Sequence, residues 1–277
     1  MSAAPAAQVG QPAELDFDLE RRFGGLRRLY GEAGYRRVRQ ARVAVVGLGG
    51  VGSWAVEALA RSGVSRLVLI DLDQVAESNI NRQVQALGST LGLAKVEALR
   101  RRIADIHPGC EVIAVEEFAS PENWPALLPA EVDVLIDACD QSAAKLALAS
   151  WALSQKMPAV CVGAAGGKQL AQAVEVADLA DATHDPLLAS LRQRLRKQGL
   201  PRSGAIGLAC VFSRESMTLP TAGGSGGVDG SLNCHGYGSS VTVTATFGLV
   251  AAGEALRLCR AQAPTSRLAQ VKPETLG

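Results

Sequence analysis

Val43-Ala44-Val45-Val46-Gly47-Leu48-Gly49-Gly50-Val51-Gly52-Ser53-Trp54 is the stretch on which the fold turns. An apolar, mostly β-branched run enters a glycine-rich turn, the pattern of a buried parallel strand. Ser53 to Ser62 then reads as a helix stopped by Gly63. Gly47, Gly49, Gly50 and Gly52 satisfy G-x-G-x-x-G between strand and helix. Only glycine lets backbone approach a phosphate this closely, and the helix N-terminus adds partial positive charge.

The same alternation continues outward. Leu67 to Ile70 is a second strand ending in Asp71, and Leu93 to Ile106 a helix ended before Pro108. Strands are expected at 112–115, 132–136 and 159–162, with a helix at 143–155. Such alternation predicts an α/β, Rossmann-like doubly wound fold with a mainly parallel sheet. Further along, 172–176 reads as a strand and 186–197 as a basic helix. A last helix starts near Val241 and runs to about Cys259. Residues 1–13 are expected to be disordered, 14–39 to form an N-terminal helical arm broken at Gly24-Gly25, and 261–277 to be a flexible tail around a main domain of 14–260. The stretch 218–239 is expected to be a mobile loop, because Thr221 to Gly238 holds seven glycines in eighteen residues.

Bulk composition excludes more than it assigns. A net charge of +1 on 277 residues gives no global argument for nucleic acid, so any basic surface must be local. The six cysteines form no C-x-x-C, which removes the usual structural zinc pattern. With no secretory signal pattern, reduced thiols in the cytoplasm are expected. The apolar stretch Val241 to Gly253 is shorter than the roughly 20 residues that span a bilayer, so it reads as a buried helix.

Asp71 follows Gly52 by nineteen residues, at a strand end where a carboxylate accepts from ribose hydroxyls. The glycines and Asp71 do not separate NAD from ATP. Arg82 and Lys95 do: a triphosphate carries nearly four negative charges against about two on a dinucleotide, and calls for cations and often Mg²⁺. Asp140, after the strand ending at Asp137, is placed to hold Mg²⁺. Asp137 is expected to cap the following helix. Cys139, Cys161 and Cys259 lie in apolar runs and are expected to be packing residues. Cys234, beside His235, is either a nucleophile or a loop cysteine without a role. Arg192, Arg194, Arg196, Lys197 and Arg202 form either a solvated helix face or a phosphate-contacting one.

Taken together, Gly47 to Ser53, Asp71-x-Asp73, Ser78-Asn79-x-Asn81-Arg82, Lys95 and Asp137-x-x-Asp140 resemble the ubiquitin-activating-enzyme-like superfamily of ThiF, MoeB and HesA proteins. Arg22-Phe23-Gly24-Gly25, Leu29-Tyr30-Gly31, Gly52-Ser53-Trp54, Cys210 to Ser213 and Val243 to Gly248 are similar to its tRNA threonylcarbamoyladenosine dehydratase branch. The resemblance covers about Arg21 to Cys259. It implies ATP with Mg²⁺ and formation of an acyl adenylate. The glycines, Asp71, Asp73, Asn79, Arg82 and Lys95 would bind the nucleotide and Asp140 the metal, with Arg82, Lys95, Asp140 and Cys234 the catalytic candidates. It also implies a homodimer in which an N-terminal arginine crosses to the partner's ATP site, and Arg22 matches the start of that motif. The chain departs at Gly25, where many relatives carry a second arginine. In this branch the substrate is a threonyl carboxylate beside a tRNA anticodon, and a cysteine desulfurase and sulfur-acceptor system is an expected partner. No membrane is expected. The alternatives are an adenylyltransferase for a ubiquitin-like sulfur carrier, an NAD-dependent dehydrogenase, and a non-catalytic scaffold for sulfur transfer.

Overall fold

The computed structural model describes residues 18–218 and 237–261. The expected disordered start, most of the glycine-rich loop with Cys234, and nearly all of the tail lie outside them. In chain order the elements are α1 (Leu19–Phe23), α2 (Gly25–Gln40), β1 (Arg42–Val46), α3 (Gly52–Arg61), β2 (Arg66–Ile70), α4 (Lys95–Ile106), β3 (Glu111–Val115), β4 (Val134–Asp137), α5 (Ser142–Ser154), β5 (Ala159–Val162), β6 (Val174–Asp178), α6 (Pro186–Lys197), β7 (Ala209–Ser213) and α7 (Val241–Ala261).

The seven strands lie in the order β3-β2-β1-β4-β5-β7-β6, all parallel except the edge strand β6, which runs antiparallel to β7. This is the doubly wound sheet expected. Not expected from the sequence is β7, a mostly apolar strand ending in Ser213 and inserted between β5 and β6; its run of Cys210 to Phe212 is too short for periodicity to assign.

Alternation along the strands divides the core. Val43, Val45, Leu67, Leu69, Val134 and Ile136 point to one face, covered by α3, α4 and α7. Ala44, Val46, Val68, Ile70, Leu135 and Phe212 point to the other, covered by α5 and α6. α7 is, among the described residues, the helix long and apolar enough to cross a bilayer. Its apolar side is spent on the core instead: Val243, Phe247, Ala251, Ala252 and Ala255 are buried. It lies so close to α3 that a Cβ on Gly248 would sit 2.4 Å from the Val51 carbonyl oxygen.

The N-terminal arm comprises α1 and the longer α2; Gly24 between them keeps helical angles (φ −60°, ψ −20°), and the backbone instead departs from helix at Gly31 (φ +70°, ψ 170°) within α2, not at the expected Gly24-Gly25 pair. Phe23 is buried edge-on against His107, with ring centroids 4.8 Å apart, and the Arg39 guanidinium lies over its ring at 4.7 Å. Arg39 also donates to the Gly63 carbonyl and lies 3.0 Å from His107 Nε2. A guanidinium only donates, so Nε2 accepts and His107 is neutral. Burial, with Arg39 and Arg22 nearby, lowers the His107 pKa to about 4.

This has a consequence for acid stability. An unfolded histidine titrates near pH 6.5, so between about 4 and 6.5 the unfolded chain takes a proton that the folded chain refuses. Stability should therefore fall as pH drops from 6.5 towards 4, and the slope of urea midpoint against pH should be shallower in His107→Gln. Equal slopes in the two proteins would contradict this account.

Candidate functional site

Strand order reverses where β1 lies between β2 and β4, the place where open α/β sheets open a crevice. A cavity of about 440 Å³ sits there, walled by the turn after β1, the segment after β2, the end of β4 and the Gly163 to Gly166 segment after β5.

The glycines divide the work. Gly47 has φ +85° and would place a Cβ 2.8 Å from the Ala138 oxygen and the Cys139 nitrogen. A Cβ on Gly52 would lie 1.8 Å from the Gly47 carbonyl oxygen. These two are demanded by chain crossing. Gly49 has nothing within 4 Å of such an atom, so its bareness is room for a ligand. Gly50 faces Arg82 and Thr244. α3 starts at Gly52 and its N-cap residue Val51 makes no side-chain bond; the Ser53 N–H is taken by the Gly49 carbonyl at 3.1 Å, while the partial positive charge of the helix N-terminus faces the cavity.

Asp71 is buried at the end of β2 and fixes the turn: its Oδ2 accepts from the Leu48 N–H at 2.6 Å and its Oδ1 from the Asp73 N–H at 2.8 Å. Burial raises its pKa, against the opposing pull of Lys95 and these N–H groups. Lys95, itself buried, donates to Asp73 Oδ2 at 2.6 Å and lies 3.7 Å from Asp71 Oδ1. Asn79 is buried and accepts from the Ala76 N–H. Arg82 reaches over the cavity from the Ser78 carbonyl and Asn81, while its own carbonyl accepts from Trp54 Nε1 at 3.0 Å. Asp140 is exposed at the mouth. The structure thus brings Gly47, Gly49, Gly50, Asp71, Asp73, Asn79, Arg82, Lys95 and Asp140 to one cavity. No group of three His, Cys, Asp or Glu among the described residues could hold a metal alone. A lone carboxylate beside a polyphosphate suits Mg²⁺, which usually keeps its waters and takes one or two carboxylates plus phosphate oxygens.

Several expectations need correction. Asp137 does not cap α5. Its Oδ2 accepts from the Lys145 Nζ at 2.8 Å, and both side chains are buried. Burial disfavours the Lys145 ammonium, but Asp137 and the neighbouring thiols outweigh it and hold its pKa above the ordinary lysine value. Lys145 also donates to the Val162 carbonyl, tying β4 to β5 beneath the cavity. Cys139 is not mere packing: it lines the cavity, and its thiol lies 2.8 Å from Asp137 Oδ1. Burial, then the Asp137 charge, pushes that thiol well above the usual cysteine range. Cys161 and Cys259 are buried as expected. Arg22 does not line this chain's cavity; it donates to the Asp105 and Ile106 carbonyls at the far end of α4 from Lys95. Cys234 lies outside the described residues.

Sequence reasoning overlooked Lys145, which has no signal inside an apolar helix. It also overlooked Asp185, which caps α6 through the Leu188 N–H and holds the Ala164 N–H in the cavity wall at 2.8 Å. Asp185-Pro186 is a legible start signal, a capping residue followed by proline at the first helical position.

The ThiF family model matches residues 22–275. The chain is 41% identical over 253 residues to the tRNA threonylcarbamoyladenosine dehydratase of Escherichia coli (strain K12), covering 87% of this chain and 94% of that protein. It is 40% identical over 245 residues to the protein of the same name from Haemophilus influenzae, covering 86% and 93%. The crystal structure of the E. coli dehydratase in complex with ATP superposes with a TM-score of 0.78 at 39% identity, over 91% of this chain and 97% of that one.

The division among the glycines is testable. Gly49→Ala should fold normally, within about 1 kcal/mol of wild type, yet lose nucleotide binding by calorimetry. Gly52→Ala should lower the melting temperature markedly, since backbone must move. A Gly49→Ala protein that binds nucleotide normally would refute the reserved space.

Proposed function

This chain belongs to the ThiF family, and on that premise we propose that it is an ATP-dependent tRNA threonylcarbamoyladenosine dehydratase. The carrying observation is the convergence of Asp71, Asn79, Arg82, Lys95 and Asp140 on one cavity around the glycine turn. The match with the dehydratases also runs the length of the chain, beyond the part that builds the nucleotide site.

A free carboxylate is a poor electrophile because its oxygen leaves badly. In the first step a carboxylate oxygen of the threonyl group bonds to the α-phosphorus of ATP, and the bond to the bridging oxygen breaks to release pyrophosphate. In the second, a nucleophile within the same modified nucleoside attacks the activated carbonyl carbon. The carbon–oxygen bond to phosphate breaks, AMP leaves with the former carboxylate oxygen, and the nucleophile loses its proton. The nucleoside ends one water lighter.

The chain's residues position groups and compensate charge. Asp71 accepts from ribose hydroxyls. The positive end of the α3 dipole faces the phosphates. Arg82 forks onto phosphate oxygens, and Lys95 exchanges Asp73 for phosphate. Asp140 is the residue that would hold Mg²⁺, which when bound would supply charge compensation for the phosphates. Ring closure is internal to the substrate, so it needs no thioester; a Cys139 thiol held protonated suits a cavity without an enzyme nucleophile. Adenylation of a sulfur-carrier protein would use the same nucleotide site and remains the competing reading.

In the homodimer of this proposal, Arg22 leaves two neutral carbonyls for the partner's triphosphate, a charge-assisted exchange. A cytoplasmic setting and a sulfur-transfer partner belong to the same proposal.

Mass spectrometry of tRNA nucleosides tests the reaction: the dehydrated nucleoside should form only with enzyme and ATP together. Arg82→Ala should weaken ATP by about 1.5–3 kcal/mol. If purified enzyme, ATP and modified tRNA give no lighter nucleoside, the carrier-protein reading prevails. For the assembly, light scattering should give twice the 28.8 kDa chain mass; a monomer at micromolar concentration would exclude the crossing arginine.

A further inference from the structure

From Pro186 to Arg214 the chain has no Asp or Glu, although 27 of its 277 residues are acidic. Arg192, Arg194, Arg196, Lys197 and Arg202 all fall in this stretch. Elsewhere several surface arginines are neutralised within their own helix: Arg61 pairs with Glu57, Arg100 and Arg101 with Glu97, and Arg257 with Glu254; Arg37 and Arg39 of α2 instead donate to carbonyls. Of the six cations in this stretch, Arg214 pairs with Glu175; among the described residues the other five, on and just after α6, show no ion pair with a carboxylate.

They are not equivalent. Arg192 is spent on the fold, donating to the Leu179 and Ala182 carbonyls at 2.9 and 2.6 Å. Arg194 turns towards Ser142 of α5. Arg196, Lys197 and Arg202 line a groove of about 470 Å³ whose wall includes Arg192. The Arg196 Nε is buried without a hydrogen-bond partner, while the residue itself lines the groove. Past Arg192 and Ala189, which both cavities share, the groove continues into a second hollow of about 500 Å³ beside His184, Asp185 and Met217. That hollow adjoins the nucleotide cavity, because Asp185 holds the Ala164 N–H in the cavity wall and Leu187 lines the cavity itself. Compensation of the α6 dipole accounts for cations in its last turn, but not for Arg202, which lies beyond the helix and lines the same groove.

We propose that this groove is where the substrate RNA lays its phosphate backbone, with Arg196, Lys197 and Arg202 as the phosphate contacts and Arg192 as the fixed floor. The proposal rests on the dehydratase reading. Twelve helical residues span about 18 Å, room for several phosphates. Backbone bound along α6 brings a nucleotide splayed out of the loop to the N-terminal end of the helix, where the cavity opens. Phosphate contacts of this kind fix register and orientation without reading sequence.

The test measures binding of modified tRNA against salt concentration for wild type, Lys197→Glu/Arg202→Glu and the milder Lys197→Ala/Arg202→Ala. Both variants should bind ATP in calorimetry, which shows them folded. The salt slope should shrink by about 0.7 log units per lost contact, so about 1.4 for the pair, and KM for tRNA should rise roughly tenfold or more in the charge reversal. Unchanged affinity and slope in both variants, with wild type still forming dehydrated nucleoside, would overturn the groove and leave the enzymatic reading standing. Absence of product from wild type itself would instead remove that reading, and the groove's assignment with it.

Discussion

Gly47 carries the main chain so near the Ala138–Cys139 peptide that no side chain fits between them. Much of the site follows from that approach. There Gly47 takes a positive φ, the chain turns out of β1, and α3 begins at Gly52 with its N-terminal end at the cavity. It brings the end of β4 alongside, so that Asp140 faces the same space as the glycine turn. The turn is then held from outside by carboxylate and amide: Asp71 receives the Leu48 N–H, and Gln85 donates to the Leu48 carbonyl at 2.9 Å. A ligand-shaped space thus exists before a ligand arrives, which lowers the ordering cost of binding.

Beneath this space lies a charge pair that a hydrophobic core would ordinarily exclude. Lys145 is fully buried, and its ammonium is satisfied by Asp137, the Val162 carbonyl and the Cys161 sulfur. Isolated, either charge would be costly there; removing one partner of such a pair costs about 3–5 kcal/mol. Its position gives it a job that an apolar replacement would not do. Asp137 ends β4 and Val162 ends β5, so one side chain fixes the spacing of two strands whose following segments wall the cavity.

How much of this was legible depends on whether the deciding signal was local. The strands β1, β2, β4 and β5 are short β-branched runs bounded by turn residues, and the sequence exposes them directly. The glycine turn, Asp71, Arg82, Lys95 and Asp140 were legible because residue type, spacing and strand-end position coincide. β7 was not, since a five-residue apolar strand carries no period and its place between β5 and β6 depends on contacts distant in sequence. Asp137 was misread for the same reason: a carboxylate before a helix resembles a cap, and only the fold reveals a lysine eight residues on, turned inward. The basic helix was half legible. Its charges are written in the sequence, but which of them face solvent is not, because Arg192 is consumed by two carbonyls and Arg194 turns towards α5.

The last helix shows how a core element reaches the chemistry. Gly248 lets α7 lie against the first turn of α3 with backbone in contact, and Phe247 and Ala251 fill the layer below. That seating carries Thr244 to the cavity edge, where its Cβ is 3.3 Å from the position a Cβ on Gly50 would take. The start of α7 is therefore coupled sterically to the glycine turn. Asn81, next to Arg82, donates to the Ser239 carbonyl just before α7, so the phosphate-facing segment and the approach to α7 are tied as well. A bulkier residue at 248 would lift α7 from α3 and move the wall that Thr244 provides. That explains why a glycine deep in an apolar helix, unfavourable by about 1 kcal/mol against alanine on propensity alone, stands at this position.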